Sequence, residues 1–254
     1  MKSLCKTSIY FILACMCEPA FGARPLTVND AAPLDWRKWQ VELGIGYRED
    51  PGSWHFDFPV ALTYGLVPGL EIGAGFGGQI NERAETEIET IRETGLGDFV
   101  FGAKWELVAE HGWLPAQALS PVVKLPTADA EKGLGSGEID YDLTWIASKA
   151  ISEKANVHVN VGYTWVGDPP AENLNDLVHY GFSIDYQLLE ALQLAGEIFA
   201  QKDGVTVWQY NAGLRWDARD DLMFDLAFGS TFSGAGPEFT ATVGLTWIFG
   251  SNPR

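Results

Sequence analysis

Apolar and polar residues alternate along nearly the whole chain. In EIDYDLTWIASKA (138–150), Ile139, Tyr141, Leu143, Trp145 and Ala147 share one side of an extended backbone. Asp140, Asp142, Thr144 and Ser148 share the other, because successive side chains on a strand point to opposite faces. Ile146 is the exception, an apolar residue among wet positions. The same alternation returns about twelve times between Trp39 and Phe249, and no segment carries a convincing helical period.

The connections differ by parity. After even-numbered strands they are mostly short, as in GLVPG (65–69), ISEKAN (151–156), LEA (189–191) and DARDD (217–221), with AEHGWLP (109–115) the longest. After odd-numbered strands they are mostly longer and more polar: 81–95, 127–138, 167–176 and 229–238, with KDG (202–204) breaking the rule. This pattern with an even strand count predicts an all-β fold, a transmembrane antiparallel up-and-down β-barrel of about 12 strands with both termini periplasmic. Aromatic residues sharpen the picture. Tyr47, Tyr163, Trp165, Tyr180, Trp208 and Tyr210 fall at one end of the apolar faces, and Trp39, Tyr64, Tyr186, Trp216, Trp247 and Phe249 at the other. Two such belts suit a lipid-facing wall, since Tyr and Trp join an apolar body to a polar edge.

The opposite face then lines a lumen. It carries Glu42, Asp57, Glu71, Glu106, Asp140, Asp142, Asp185, Glu197 and Asp225 against Lys104, Lys124 and Arg215, with His158 and His179 also inward. Gln40, Gln79, Asn160, Gln187, Gln193, Gln209 and Asn211 add neutral polarity. Pro59 and Pro121 each remove a ladder donor inside an expected strand, and a closed barrel has no edge to hide them, so bulges are expected there.

The first residues describe export. Lys2 and Lys6 precede a short apolar run, and Ala20-Phe21-Gly22 offers small residues for cleavage before Ala23. The expected organisation is a signal peptide at 1–22 and one barrel domain at 23–254. Ile12-Leu13-Ala14-Cys15 loosely resembles a lipoprotein box, with Leu13 a poor fit. Cys5, Cys15 and Cys17 all lie in the leader, so the exported chain offers no disulfide, thiolate metal site or thiol nucleophile. The whole chain has a net charge of −17; losing two lysines and one glutamate with the leader leaves −18, which argues against nucleic-acid partners. No cofactor is expected.

Candidate chemistry is sparse. Asp140 and Asp142 lie about 7 Å apart on one strand face, within the range of inverting glycosidases, but two lumen carboxylates explain them equally. GLGSGE (133–138) lacks the Gly-Lys-Ser/Thr of a phosphate loop and joins strands. NERAETEIETIRETG (81–95) reads as a solvated external loop, with cation bridging to lipopolysaccharide or an inward constriction as alternatives.

Several stretches together resemble one family. They are GLGDFVFGAKW (95–105), PVVKLPTADAEKGLGSGEIDYDLTWIASK (121–149), VGYTWVGDPP (161–170) and NDLVHYGFSIDYQL (175–188). The family is that of outer-membrane transporters of the phenol-degradation meta-pathway type, and the resemblance covers roughly 34 to 249. It implies a bacterial outer-membrane location, partners among outer-membrane lipid and lipopolysaccharide, and a small-molecule solute. The last strand resembles the signal read by the barrel-assembly machinery, except that GSNPR follows Phe249. The leading expectation is a channel, not an enzyme, for passive passage of small neutral, aromatic or hydrophobic, or cationic solutes. A closed structural or adhesive barrel working through its loops is the alternative, and an outer-membrane lipid hydrolase a lesser one.

Overall fold

The computed structural model describes residues 24–84, 90–169 and 174–250; the expected signal peptide and its three cysteines lie outside the described residues. Alternation does produce strands throughout. They are β1 (Lys38–Asp50), β2 (Ser53–Val67), β3 (Leu70–Ala84), β4 (Thr90–Leu96), β5 (Phe99–Val108), β6 (Ala116–Leu125) and β7 (Asp140–Ser152). There follow β8 (Ala155–Trp165), β9 (Leu177–Leu189), β10 (Leu192–Lys202), β11 (Thr206–Arg219), β12 (Leu222–Ser233) and β13 (Phe239–Gly250). Each pairs antiparallel with its neighbours, and β13 closes the ring on β1 with Val41 opposite Trp247 and Ile45 opposite Val243. The wall has twelve strand positions, because β4 and β5 share one: β4 pairs with the upper half of β3 and β5 with the lower half.

That arrangement corrects one expectation. Much of 81–95 is not a loop: Asn81–Ala84 continue β3 and Thr90–Leu96 form β4, so the two extend as a hairpin past the wall. Trp54 on β2 supports it, donating Nε1–H to Glu82 at 3.1 Å, with the Arg92 guanidinium 5.8 Å from its ring.

The expected bulges at the prolines are also absent. Around Pro59, Leu43 pairs with Val60 and Gly46 with Asp57 in one unbroken register. Around Pro121, Gly102 pairs with Val122 and Trp105 with Leu119 in the same way. Each proline turns its missing N–H toward one neighbour only, and its opposite side still pairs, with Gly77 and Leu143 respectively. The register shifts lie elsewhere, near strand ends such as Gly65/Val67 and Asp217/Arg219.

The two faces separate by exposure. On β7, Leu143 (41%) and Trp145 (37%) lie outside, whereas Thr144 (7%) and Ile146 (0%) lie inside. Outward aromatics pair at both ends: Tyr47–Phe56 (4.9 Å) and Tyr180–Trp208 (5.3 Å) near the long loops, Trp39–Tyr64 (4.4 Å) and Trp247–Phe249 (4.7 Å) near the short turns. An apolar outer surface of this extent is stable only against lipid.

Candidate functional site: a barrel lumen with an internal segment

A stretch with no strand pairing runs inside the barrel ahead of β1. Residues 24–37 carry Pro25 and Pro33, which deny the segment ladder donors. Read backwards from β1, the chain enters at the short-turn end, where Arg37 N–H donates to Gly65 O at 2.8 Å. Leu34 N–H donates to Glu71 on β3. Asp30 then faces Lys104 on β5 (3.9 Å), which also pairs with Glu71 (3.5 Å). Ala31 N–H donates to Ser148 Oγ on β7 (2.8 Å). The Asn160 amide on β8, turned to match, accepts from Asn29 N (2.8 Å) and donates to Asn29 O (2.9 Å). Glu197 on β10 accepts from Thr27 N (2.9 Å) and Val28 N (2.7 Å), and Asn211 adds a third donor (2.6 Å). Arg215 on β11 donates to Arg24 O (2.7 Å), and the Arg24 guanidinium meets Asp225 on β12 (3.1 and 3.2 Å) and Thr242 on β13 (2.9 Å).

The segment thus follows the inner wall from β3 round to β13, and lumen side chains satisfy its backbone in place of a ladder. Glycines make the berth: the Arg24 guanidinium lies over the cross-strand pair Gly44 and Gly244, where any Cβ would collide with it. An apolar contact adds to the polar ones, as Ala31 packs on Ala118 and Ile146, all fully buried. Inward residues of this half are enclosed in consequence: Glu42 (3%), Glu71, Lys104, His158 and Thr63 are all buried.

The lumen residues expected from sequence divide into three groups. Glu71, Lys104, Glu197, Arg215 and Asp225 hold the segment directly. His158 and Asp185 support it from behind: Ser148 Oγ lies 2.7 Å from His158 Nδ1, His158 Nε2 3.3 Å from Asp185, and Asp185 2.8 Å from Arg215. Ser148, His158 and Asp185 have the connectivity of a hydrolase triad, but the hydroxyl accepts from Ala31 N–H and neither of the two larger cavities includes it. Glu42 is buried in the same half, and Glu106 lies half-buried near Gly69 at the short-turn rim.

The remaining five line space. Asp57, Lys124, Asp140, Asp142 and His179 face the long-loop half of the lumen, Lys124 bridging to Asp140 (2.9 Å). A chamber of about 330 Å³ spans that half. It exists because inward positions there are small: Gly46, Pro59, Ala61, Gly75 and Gly77. Pro25, Leu26 and Thr27 of the internal segment form its floor. Leu134, from the loop between β6 and β7, reaches down as part of its roof, with Gln79 Nε2–H donating to Leu134 O at 3.1 Å. Lys124 pins that loop through Ser136 Oγ (2.6 Å), and Asp98 through Thr127 N (2.9 Å) and Ala128 N (2.8 Å). A smaller cavity of about 90 Å³ lies beside it, where Asp142 accepts from His179 (2.7 Å), Thr144 (2.7 Å) and Thr164 (2.7 Å). Outside the wall, Asp176 accepts from Tyr163 Oη and Val166 N, which holds its carboxyl below the ordinary range.

Sequence reasoning missed the internal segment, Asp98 and Leu134. No metal-binding cluster of three or more His, Cys, Asp or Glu occurs among the described residues.

Comparison with known proteins agrees with this architecture. The model of the family described as "Putative MetA-pathway of phenol degradation" matches residues 82–249, and the chain belongs to that family. Among solved structures, it is similar to an outer-membrane channel from Pseudomonas putida F1, with TM-score 0.73 and 12% identity over 87% of this chain and 98% of that one. The KdgM porin has TM-score 0.54 and 10% identity, covering 82% and 99%. LpxR from Salmonella typhimurium has TM-score 0.53 and 11% identity, covering 83% and 100%. These likenesses are of fold. No curated protein sequence matches.

Proposed function

We propose that this family member is an outer-membrane channel for small solutes, narrowed across its periplasmic half by its own N-terminal segment. One observation carries the reading. The segment is bound to the wall by side chains and backbone amides, not woven into the sheet, while the other half of the lumen keeps a chamber of about 330 Å³. A barrel serving only as a scaffold has no need of a chamber lined by Asp57, Gln201 and Gln209. An enzyme reading gains little support, because the Ser148 hydroxyl is occupied by the segment.

Selectivity follows from the lumen charges. Arg24 joins Lys104, Lys124 and Arg215 inside, but Asp30 and Asp98 join the acids, so the carboxylate excess stands. Acidic linings in a low-dielectric wall favour cations and repel anions. Neutral and cationic solutes are therefore favoured over acidic sugars and phosphates. The protein in a planar bilayer under a salt gradient is expected to give a small conductance with a cation-selective reversal potential. Anion preference would overturn the proposed selectivity, and complete absence of conductance would favour the closed structural barrel.

A further inference from the structure

We propose that the long-loop chamber is a binding site for small organic cations, an ammonium head on a compact apolar body, with Asp57 as the counter-ion. This deepens the channel reading and rests on it for the role of the chamber in passage. Most charged groups around the chamber are already paired. Arg24 is committed to Asp225 and Lys124 to Asp98 and Asp140. Arg48 is paired with Asp50 at 3.1 Å. The Asp98 carboxylate takes Lys124 and two backbone amides.

Asp57 is different. Its only ion-pair contact among the described residues is His55 Nε2 at 3.9 Å, and its side chain is 41% exposed into the chamber. Gly46 on β1 lets that carboxylate lie flat against the backbone, where a Cβ would displace it. On other strands of the same chamber, Gln201 and Gln209 line the wall, and neither amide has a hydrogen-bond partner among the described residues. Leu26, Val100, Phe199 and Leu134 supply the apolar contacts.

An anionic ligand would meet Asp57 with every lysine and arginine of the chamber already engaged. A neutral ligand would bind the apolar surfaces and the amides but leave the carboxylate without an opposite charge. A primary ammonium satisfies Asp57 with a charge-assisted hydrogen bond while its body covers the apolar floor. The volume suits a single-ring compound.

The test uses the full exported chain in detergent and three probes of similar shape: benzylamine, benzyl alcohol and benzoate, titrated by calorimetry at neutral pH. Benzylamine is expected to bind most tightly and benzoate least. Asp57→Asn is expected to weaken benzylamine by about ten- to hundredfold, the range of one charge-assisted hydrogen bond, with little change for benzyl alcohol. Asp57→Glu should recover part of the loss. Equal binding of the three probes, benzoate as the tightest, or an unchanged benzylamine affinity in Asp57→Asn would overturn the proposal. Should Asp57→Asn fail to fold, the probe series on the unaltered chain decides alone. Binding without conductance would count against the channel and leave this site standing; cation-selective conductance without benzylamine binding would do the reverse.

Discussion

Asp225→Ala is expected to lower the stability of the folded barrel by about 3–5 kcal/mol, the usual penalty for leaving a buried charge without its partner. Arg24 is 7% exposed and Asp225 1%, and two hydrogen bonds join them. Removing the carboxylate leaves the guanidinium over Gly44 and Gly244 with only Thr242, among the described residues, to receive it. The chain has two ways to relax. It can unfold more readily, or it can expel residues 24–34 from the lumen and keep the barrel. Replacing both partners, Arg24→Leu with Asp225→Ala, should recover much of the loss, since a buried pair is worth little against apolar substitutes. Urea unfolding followed by loss of the heat-modifiable gel band measures the first effect. If Asp225→Ala unfolds at the unaltered midpoint with the segment still in place, the pair contributes nothing to holding it.

Leu143→Arg should be the most damaging single change on the outer wall, at about 2–4 kcal/mol near the bilayer midplane. Leu143 is 41% exposed and flanked outside by Tyr141 and Trp145, so an arginine there meets hydrocarbon. Asp142→Asn, one residue away, turns into the lumen, where Thr144, Thr164 and His179 can still hydrogen-bond an amide. It should therefore be the milder of the two in lipid vesicles. Equal effects would mean that the inner and outer faces are wrongly assigned.

The wall was legible because its two solvents impose a period of two on every strand. The twelve strand positions, the aromatic belts and the inward placement of Asp140, Asp142, Glu197 and Asp225 all follow from that period. What escaped was anything the period does not govern. Residues 24–37 have no alternation, since their partners surround them and no face is set apart. Yet the segment left traces in the strands it touches. Ile146, the apolar exception on the wet face of β7, packs on Ala31 of the segment. Phe199, an inward aromatic on β10, lies beside Gly181, where Val28 of the segment also packs. Glu197 and Glu71 stand among acids that outnumber the inward bases, and backbone amides of the segment take up part of the excess. Departures from alternation were thus the marks of an internal partner. The prolines misled for a related reason: a proline that points its missing donor at one neighbour needs no bulge when the flanking pairs keep register.

The most direct test of the central claim is single-channel conductance of a protein lacking residues 24–34, compared with the intact chain in the same bilayer. The twelve-strand ring does not use those residues for pairing, so the barrel should still form and show its heat-modifiable band. Conductance is expected to rise several-fold with cation preference retained, because Glu71, Asp185, Glu197 and Asp225 would then line an open lumen. A correctly folded deletion protein with the conductance of the intact chain would contradict the account, for the segment would then narrow nothing.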